Sequence, residues 1–471
     1  MHPSALRHSL SCLDPMSSES PHPAMDRRDL DALWLDSNVS TRRNSTESLP
    51  AMTLSPPDDS TCHDARGHAL SVMSPIAEKK SIAVADDDCN KLDVEKNIDC
   101  PDSLQRKLSL RERIHHFTWA WFTLPMSSGG LALLIWVQPH QFTGLRTIGM
   151  VFYALTLFIF SLVCIAMLCR FVLYRHAMTK SVLHPKEGFF FPTFFLAVAT
   201  LITSTERYAM PHNNTNYIWA TQTIFWVYLV VTLVLAVGQY SYLFAGHSHN
   251  LQTMMPGWIL PIFPVMLTGT IASVVLEMQE HIRPLPIIVA GLTCQGLGFS
   301  VAVMMYAHMV GRLMQSGLPN REHRPALFMC VGPPAFTAFA LIGMADRLPK
   351  DLVGAGQFNI NVETVRAVAL MSAIFLWSLS LWWFLIAVVA IVASPPEYFH
   401  LGWWPMVFPN VGFTLATISI GNQLQCEGIL WFATALSLCL FVTFCTVFYF
   451  NIRAVLVGDI MYPGKDEDAD H

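Results

Sequence analysis

From about Phe117 onward, the chain consists of one long apolar stretch after another. Each stretch is long enough for a helix to cross the hydrocarbon core of a bilayer, about 30 Å thick. Ten such stretches are predicted, and their approximate bounds are 117–137, 145–173, 188–205, 217–244, 256–276, 286–313, 325–345, 364–393, 404–423 and 428–457. The fold class predicted from this pattern is an all-α polytopic membrane protein with ten transmembrane helices.

The overall composition agrees with a membrane protein. Of the 471 residues, 53% are hydrophobic and only 13% are charged, whereas soluble domains carry about 25% charged residues. A soluble globule and a fully disordered chain are therefore both excluded. The formal net charge of −5 also argues against nucleic-acid binding, which needs a basic face.

The first 105 residues differ in composition from the rest of the chain. They hold 10 Lys and Arg against 18 Asp and Glu, are rich in Ser, Pro and Asp, and contain no apolar run that could build a core. Such a composition is typical of a disordered segment, and it lacks the apolar region of a secretory signal. We therefore expect a disordered acidic cytoplasmic tail at 1–105, a ten-helix transporter domain at 106–460 and a short acidic cytoplasmic tail at 461–471.

Proline recurs at a regular distance through the apolar stretches. The odd-numbered stretches carry Pro125, Pro192, Pro264, Pro334 and Pro409, separated by 67, 72, 70 and 75 residues, whereas the even-numbered stretches have no proline in their interiors. The period predicts a repeat of one kinked helix and one straight helix. Five such helical hairpins account for the whole membrane region.

The proline pattern also predicts which helices lie inside. Proline removes a backbone hydrogen bond, and within a membrane the freed carbonyl group is tolerated where protein or a water-filled cavity surrounds it. We therefore expect the Pro-kinked odd helices to line a central pore and the even helices to lie outside, facing lipid or other protomers. The candidate pore-lining or kink residues are Pro125, Ser127, Ser128, Gly129, Pro192, Thr193, Pro264, Thr268, Pro333, Pro334, Phe336, Thr337, Pro409 and Asn410.

The distribution of Lys and Arg predicts the orientation in the membrane. Thirteen of these residues fall on the side of the N-terminus and six on the opposite side, counted from Arg106 onward. Positive charge marks the cytoplasmic side, so both termini should be cytoplasmic. The glycosylation sequon at Asn213 then falls on the outer side, and the sequons at Asn38 and Asn44 fall in the inner tail, where they should stay unmodified.

The acidic residues of the apolar region favour an anion pathway. All of them, including Glu187, Glu206 and Glu277, fall near the ends of the predicted spans, whereas cation pathways and proton relays usually need carboxylates inside. Near the cytoplasmic end of the sixth span, His308 and Arg312 stand one helical turn apart and could attract an anion. The alternative is a packed histidine beside an interfacial arginine.

Motifs of other chemistries are missing from the sequence. There is no P-loop, no GxSxG or HExxH motif, and the 11 Cys form no CxxC pair, so we predict neither an enzyme nor a cofactor or metal site. Two short stretches, Arg42-Arg43-Asn44-Ser45 and Arg106-Lys107-Leu108-Ser109, resemble basophilic kinase sites. They suggest a kinase that acts on Ser45 or Ser109.

Three stretches carry a resemblance to a known family. His116-Phe-Thr-Trp-Ala-Trp-Phe-Thr-Leu-Pro-Met-Ser-Ser-Gly-Gly130, the run from Gly311 to Arg324-Pro325, and Val331-Gly-Pro-Pro-Ala-Phe-Thr337 resemble the tellurite-resistance/dicarboxylate transporter family. Within it, the opening stretch is most similar to the fungal malic acid transport proteins. The resemblance covers about residues 113–460.

The resemblance implies a fold of five helical hairpins, a pore through each protomer and a homotrimer in the plasma membrane. It implies a phenylalanine that plugs the pore from the ninth helix, which is Phe408, or Phe413 if the alignment shifts. It also implies transport of malate and related C4-dicarboxylates, and protons are a candidate coupling ion. Two alternatives stay open: a sulfite efflux pump or channel-like anion exporter on the same fold, and a membrane receptor or scaffold acting through the N-terminal tail.

Overall fold

The computed structural model describes residues 108–211, 215–246, 251–279, 282–349 and 361–462. The acidic tail with Ser45, the sequon residue Asn213 and the C-terminal residues from 463 onward lie outside the described residues. Within these ranges the chain is helical and has no strand. We number the long helices α1 Thr123–Val137, α2 Leu145–Leu173, α3 Pro192–Tyr208, α4 Thr215–Gly246, α5 Phe263–Met278, α6 Pro284–Ser316, α7 Gly332–Asp346, α8 Val362–Ala393, α9 Phe408–Leu424 and α10 Glu427–Val457.

Eight helical segments in the described part of the chain are long and apolar enough to cross a membrane. They contain α1 to α4, α6 to α8 and α10. The other two long helices, α5 with 16 residues and α9 with 17, do not join their 3-10 segments into one helical stretch of that length. The all-helical membrane fold is therefore confirmed, while ten complete crossings stay a prediction.

The odd-numbered helices form the inside of the molecule. In the described residues, α1, α3, α5, α7 and α9 contact one another in that order, and α9 closes the ring on α1. In the segments that contain α1 and α7, 89% of the residues in the most apolar 18-residue stretch are buried. The corresponding share is 17–39% for the outer helices α2, α4, α6, α8 and α10. This confirms the inner and outer sets predicted from the proline pattern.

The outer helices expose large apolar side chains. On α2 alone, Phe158, Leu162, Ile165 and Leu168 are each more than half exposed. Such a continuous apolar surface is unusual on a soluble protein, whereas lipid tails are as apolar as leucine. The chain is therefore an integral membrane protein, and α2 shows one of its lipid-facing surfaces.

Each inner helix has two parts, a short 3-10 segment followed by the α-helix. The 3-10 segments are Trp119–Phe122, Glu187–Phe190, Pro256–Ile259, Arg321–Val331 and Leu401–Met406. The repeating prolines lie just after them, within the first three residues of the α-helix. Proline at this position breaks no intrahelical hydrogen bond and has the φ that a helix start needs. The kink predicted for each inner helix is thus observed as a change from 3-10 helix to α-helix, at the start of the inner α-helix.

One buried ion pair fixes the connection between α2 and α3. Arg170 lies 2.6 Å from Glu187, and each side chain is only 4% exposed. The hydroxyl of Ser181 also donates to the Glu187 carboxylate, at 2.6 Å. Removing one partner of such a buried pair is strongly destabilising, because it leaves the other charge uncompensated.

A short helix, Leu110–His115, precedes the inner ring. Ser109 caps it, because its backbone N–H donates to the Glu112 carboxylate at 2.8 Å while its hydroxyl accepts from the Glu112 backbone N–H at 3.4 Å. Arg113 ties the helix to the end of α10 by donating from Nη2 to the Val455 carbonyl oxygen, 2.6 Å away. This arginine satisfies one of the last carbonyl groups of α10, which have no partner within that helix.

Candidate transport path

A small cavity lies on the axis of the inner ring. Its lining comes from all five inner helices and from no outer helix among the described residues: Gly130, Leu133, Ala199, Thr200, Thr203, Leu267, Thr270, Ile271, Phe336, Phe408 and Val411. Its volume is about 10 Å³, about the space needed for one water molecule. The described conformation is therefore closed to a solute of the size of an organic acid.

Three aromatic rings pack together at this cavity, and two of them, Phe336 and Phe408, line it. Phe408, the first residue of α9, is 1% exposed. Its ring stacks on Phe336 with centroids 5.0 Å apart, and Phe263 meets it edge-on at 6.1 Å. Aromatic rings at such distances attract one another, so these rings pack as one group.

Glycines make room for two of these rings. A Cβ atom added to Gly130 of α1 would lie 3.1 Å from the ring of Phe408, and one added to Gly412 of α9 would lie 2.6 Å from the ring of Phe336. Any larger residue at Gly412 would therefore have to move the Phe336 ring. The sequence offers a signal for this arrangement, because both glycines lie within five residues of an inner-helix proline.

Phe413, the other candidate for the plug, lies elsewhere. It is equally buried at 1% exposure, but its ring stacks between Trp377 and Phe384 of α8, at 5.4 Å from each. It does not line the axial cavity. The structure thus places Phe408 on the axis and Phe413 against an outer helix.

Three threonines supply the hydroxyl groups of the cavity. Thr200 and Thr203 of α3 bond back to carbonyl groups of their own helix, at 2.8 and 3.1 Å, whereas the Thr270 hydroxyl on α5 is buried and has no hydrogen-bond partner. Sequence reasoning missed all three. A signal was present, since Thr200 and Thr203 stand one turn apart on one helix face.

Four of the predicted pore-lining residues with hydroxyl or amide groups bond to other protein groups instead. Thr156 of α2 donates to Ser128 at 2.9 Å, Gln295 of α6 donates to Thr337 at 2.8 Å, and Thr193 donates to the Trp119 carbonyl oxygen at 2.8 Å. Asn410 donates to the Met406 carbonyl oxygen at 2.7 Å. These residues join neighbouring segments, and none of the four lines the axial cavity.

The remaining candidates are also buried away from the cavity lining. Among them, Gly129 packs against Thr200 and Thr156, while Ser127 and Thr268 are fully buried. The candidate prolines, which are Pro125, Pro192, Pro264, Pro333, Pro334 and Pro409, mark the starts of the inner helices. Of the whole predicted set, Phe336 and Phe408 reach the lining of this cavity.

His308 and Arg312 lie on the outer helix α6. The His308 side chain lines a separate, largely apolar cavity with Tyr240 and Trp258. Arg312 donates from Nε to the Gln252 carbonyl oxygen, 3.3 Å away. The structure brings neither residue to the axial cavity.

Charged residues gather where the inner helices end. Arg207 of α3 forms a two-point ion pair with Glu277 of α5, in which Nη1 lies 2.7 Å from Oε1 and Nη2 contacts Oε2. Asp346 of α7 accepts from Gln423 of α9 at 2.7 Å. Polar groups from four inner helices, including Glu206 of α3, thus lie at this end.

No group of three His, Cys, Asp or Glu in the described ranges is arranged to hold a metal ion. The axial cavity offers hydroxyl groups and aromatic rings, and a charged pair lies where α3 and α5 end. A narrow path inside a ring of helices, surrounded by lipid-facing helices, is the architecture of a membrane transport protein.

The comparison with protein families agrees with this architecture. Residues 116–452 match the SLAC1 family, described as voltage-dependent anion channel. The chain belongs to this family, and the resemblance found in the sequence is confirmed.

Named relatives fall into two groups. The chain is 36% identical to the malic acid transport protein of Schizosaccharomyces pombe over 76% of this chain and 83% of that protein. It is 30% identical to a putative malic acid transport protein of the same yeast, over 77% of this chain and 85% of the relative. A sulfite efflux pump of Trichophyton rubrum is 24% identical over 66% of this chain and 83% of the pump.

Proposed function

We propose that this protein transports malate and related C4-dicarboxylate anions across the plasma membrane, along the axis of each protomer. The observation that carries the proposal is the axial cavity, which all five inner helices line and which Phe408 and Phe336 close. Thr200, Thr203 and Thr270 offer hydroxyl groups to a passing solute. Identity of 36% to a malic acid transport protein over most of both chains supports the substrate class.

The direction of the inner helices supports an anion as the solute. Each inner helix is followed by an outer helix that returns, so all five inner α-helices point their N-termini to the same side. The N-terminus of a helix carries a partial positive charge. The starts of the five helices, near Phe408, therefore favour a negatively charged solute.

Several further features belong to the same proposal. We place both termini in the cytoplasm, take Phe408 as the gate, and assign transport rather than catalysis to the chain. We also propose a homotrimer, as the resemblance implies. We propose Ser109 as a kinase target because its side chain is exposed, and phosphate there would compete with the Glu112 carboxylate for the same helix start.

Transport of labelled malate by reconstituted vesicles tests the function. We expect saturable malate uptake by vesicles that hold the protein, and a comparison with and without a pH gradient will show whether protons are coupled. Vesicles without protein are the control. Uptake no faster than that control would contradict the proposal.

Sulfite is the second candidate substrate, because sulfite efflux pumps are 24–25% identical to this chain over 66% of its length. Labelled sulfite belongs in the same vesicle assay. Saturable sulfite flux together with background malate flux would favour this alternative.

A further inference from the structure

The axis-facing side of α3 continues from the cavity to the end of the helix. Thr200 and Thr203 line the cavity, and Arg207 follows seven residues after Thr200. Seven residues bring a helix back to the same face, within about 20°. Arg207 therefore lies on the side of α3 that faces the path.

The same relation holds on α5. Thr270 lines the cavity, and Glu277 follows it by seven residues. The two path-facing sides thus end in an arginine and a glutamate, which bind each other. The pair crosses from one inner helix to the next at the end of the path.

Arg207 is held in a fixed position for binding a carboxylate. Its guanidinium group lies 6.0 Å from the centre of the Trp136 ring, Nη1 also lies 3.4 Å from the sulfur of Met278, and Nε is buried without a partner. A guanidinium group presents its donors in a planar fork that matches a carboxylate at two points. The Nε donor is without a partner while Glu277 occupies the fork.

The two partners differ in exposure. The Arg207 side chain is 2% exposed, whereas that of Glu277 is 43% exposed. A buried arginine needs an anion beside it, because an unpaired buried charge is strongly unfavourable. An exposed glutamate loses little when it turns into water, so another carboxylate can take its place.

The other charged groups at this end have partners of their own. Asp346 accepts from Gln423 at 2.7 Å. Glu206 is engaged separately, since it accepts from Thr221 at 2.7 Å and from Gln279 at 3.4 Å. Arg366 pairs with Glu363 and Asp346. Arg207 is thus the buried cation at this end that faces the path.

We propose that Arg207 binds a carboxylate group of the substrate at this mouth of the path, and that Glu277 is an internal carboxylate that occupies Arg207 until substrate displaces it. The inference rests on the proposed function. It adds a substrate-binding residue and a built-in competitor, and it explains why a buried cation lies on the axis-facing side of a membrane helix.

Glu277→Gln tests the competitor. The amide keeps a similar shape but carries no charge, so we expect the KM for malate to fall, by about tenfold if Glu277 occupies Arg207 nine-tenths of the time. Arg207→Lys keeps the charge and loses the fork, so we expect its KM to rise about tenfold or more. Both values come from initial uptake rates at varied malate concentration in vesicles.

Two matched controls separate this effect from others. Glu363→Gln removes one negative charge from an exposed ion pair at the same end of the molecule, so it controls for surface charge. Glu187→Gln breaks a buried ion pair away from the path, so it should lower thermal stability and leave the KM unchanged. If Glu277→Gln does not fold, Arg207→Lys alone carries the test.

The outcomes distinguish the inference from the function. If the wild type transports malate but Glu277→Gln has the KM of Glu363→Gln, Glu277 is no competitor. If Arg207→Lys keeps the wild-type KM, Arg207 is not the binding residue. If the wild type moves no malate, the proposed function itself is wrong, whatever the variants do.

Discussion

Two phenylalanines of α9, five residues apart, have different surroundings. Phe408 faces the axis against Phe336, and Phe413 stacks on Trp377 of α8. Both are 1% exposed, so burial alone does not distinguish them. The distinction comes from the direction of each side chain around the helix.

Phe408→Ala should open the path. Removing the ring leaves space beside Gly130 and Phe336, so we expect malate leak from loaded vesicles to rise. The protein should also lose about 3–5 kcal/mol of stability, as for other buried phenylalanines. Release of labelled malate from vesicles without a driving gradient measures the leak.

Phe413→Ala is the matched control for this variant. It removes the same ring from the same helix and should cost a similar stability, but it empties space against α8 and should not raise the leak. Equal leak in both variants would remove Phe408 from the role of gate. A double variant with Phe336→Ala should be non-additive, because the two rings touch.

Sequence reasoning reached Phe408 through the family resemblance and missed the threonines of the cavity. A proline marks the start of a helix but does not indicate how the helix is rotated around its own axis. Ser128 and Thr337 were candidates because they stand near prolines, yet both bond to outer helices. Rotation is decided by packing between helices that are far apart in the sequence.

At the scale of the element, the proline period carried most of the predictable information. It identified the inner helices because each repeat needs a helix start that tolerates proline. It did not distinguish a bend inside a helix from a 3-10 segment followed by an α-helix. That difference depends on backbone hydrogen bonds, which the spacing of prolines leaves open.

Close packing joins each inner helix to an outer one, and α5 with α6 shows how. A Cβ atom on Gly298 of α6 would lie 2.5 Å from the Cβ atom of Met266 on α5, and one on Gly291 would lie 2.8 Å from that of Ala272. Small residues let membrane helices approach this closely. The two glycines are seven residues apart, so they share one helix face.

Gly298→Ala should therefore destabilise the protein by about 1–3 kcal/mol, because α5 and α6 must move apart. Gly296→Ala is the control on the same helix, where a Cβ atom would meet nothing within 4 Å. There alanine should be neutral or slightly stabilising, since it favours helix more than glycine does. Thermal unfolding of both variants in one detergent compares them, and equal losses would contradict the packing argument.

At the scale of the whole molecule, a closed ring explains how one chain encloses a path. Contacts between α9 and α1 join the last repeat to the first. The inner helices therefore enclose the path by themselves, and the outer helices surround this ring. Length and hydropathy predicted the spans, and the proline period predicted the ring. These patterns could not predict that the axis is closed, because closure depends on the contact between Phe336 and Phe408, which come from different repeats.

The short helix before α1 sets where the described transporter unit begins. Deleting residues 1–107 leaves Ser109 to cap that helix and Arg113 to bond α10, so we expect wild-type stability and malate flux. Deleting residues 1–116 removes the bond from Arg113 to the Val455 carbonyl oxygen, and a hydrogen bond from a charged donor contributes about 1.5–3 kcal/mol. The longer deletion should therefore unfold at lower temperature, with Arg113→Ala as the single-residue match. Loss of flux in the shorter deletion, with its stability intact, would instead favour a receptor or scaffold that acts through the acidic tail.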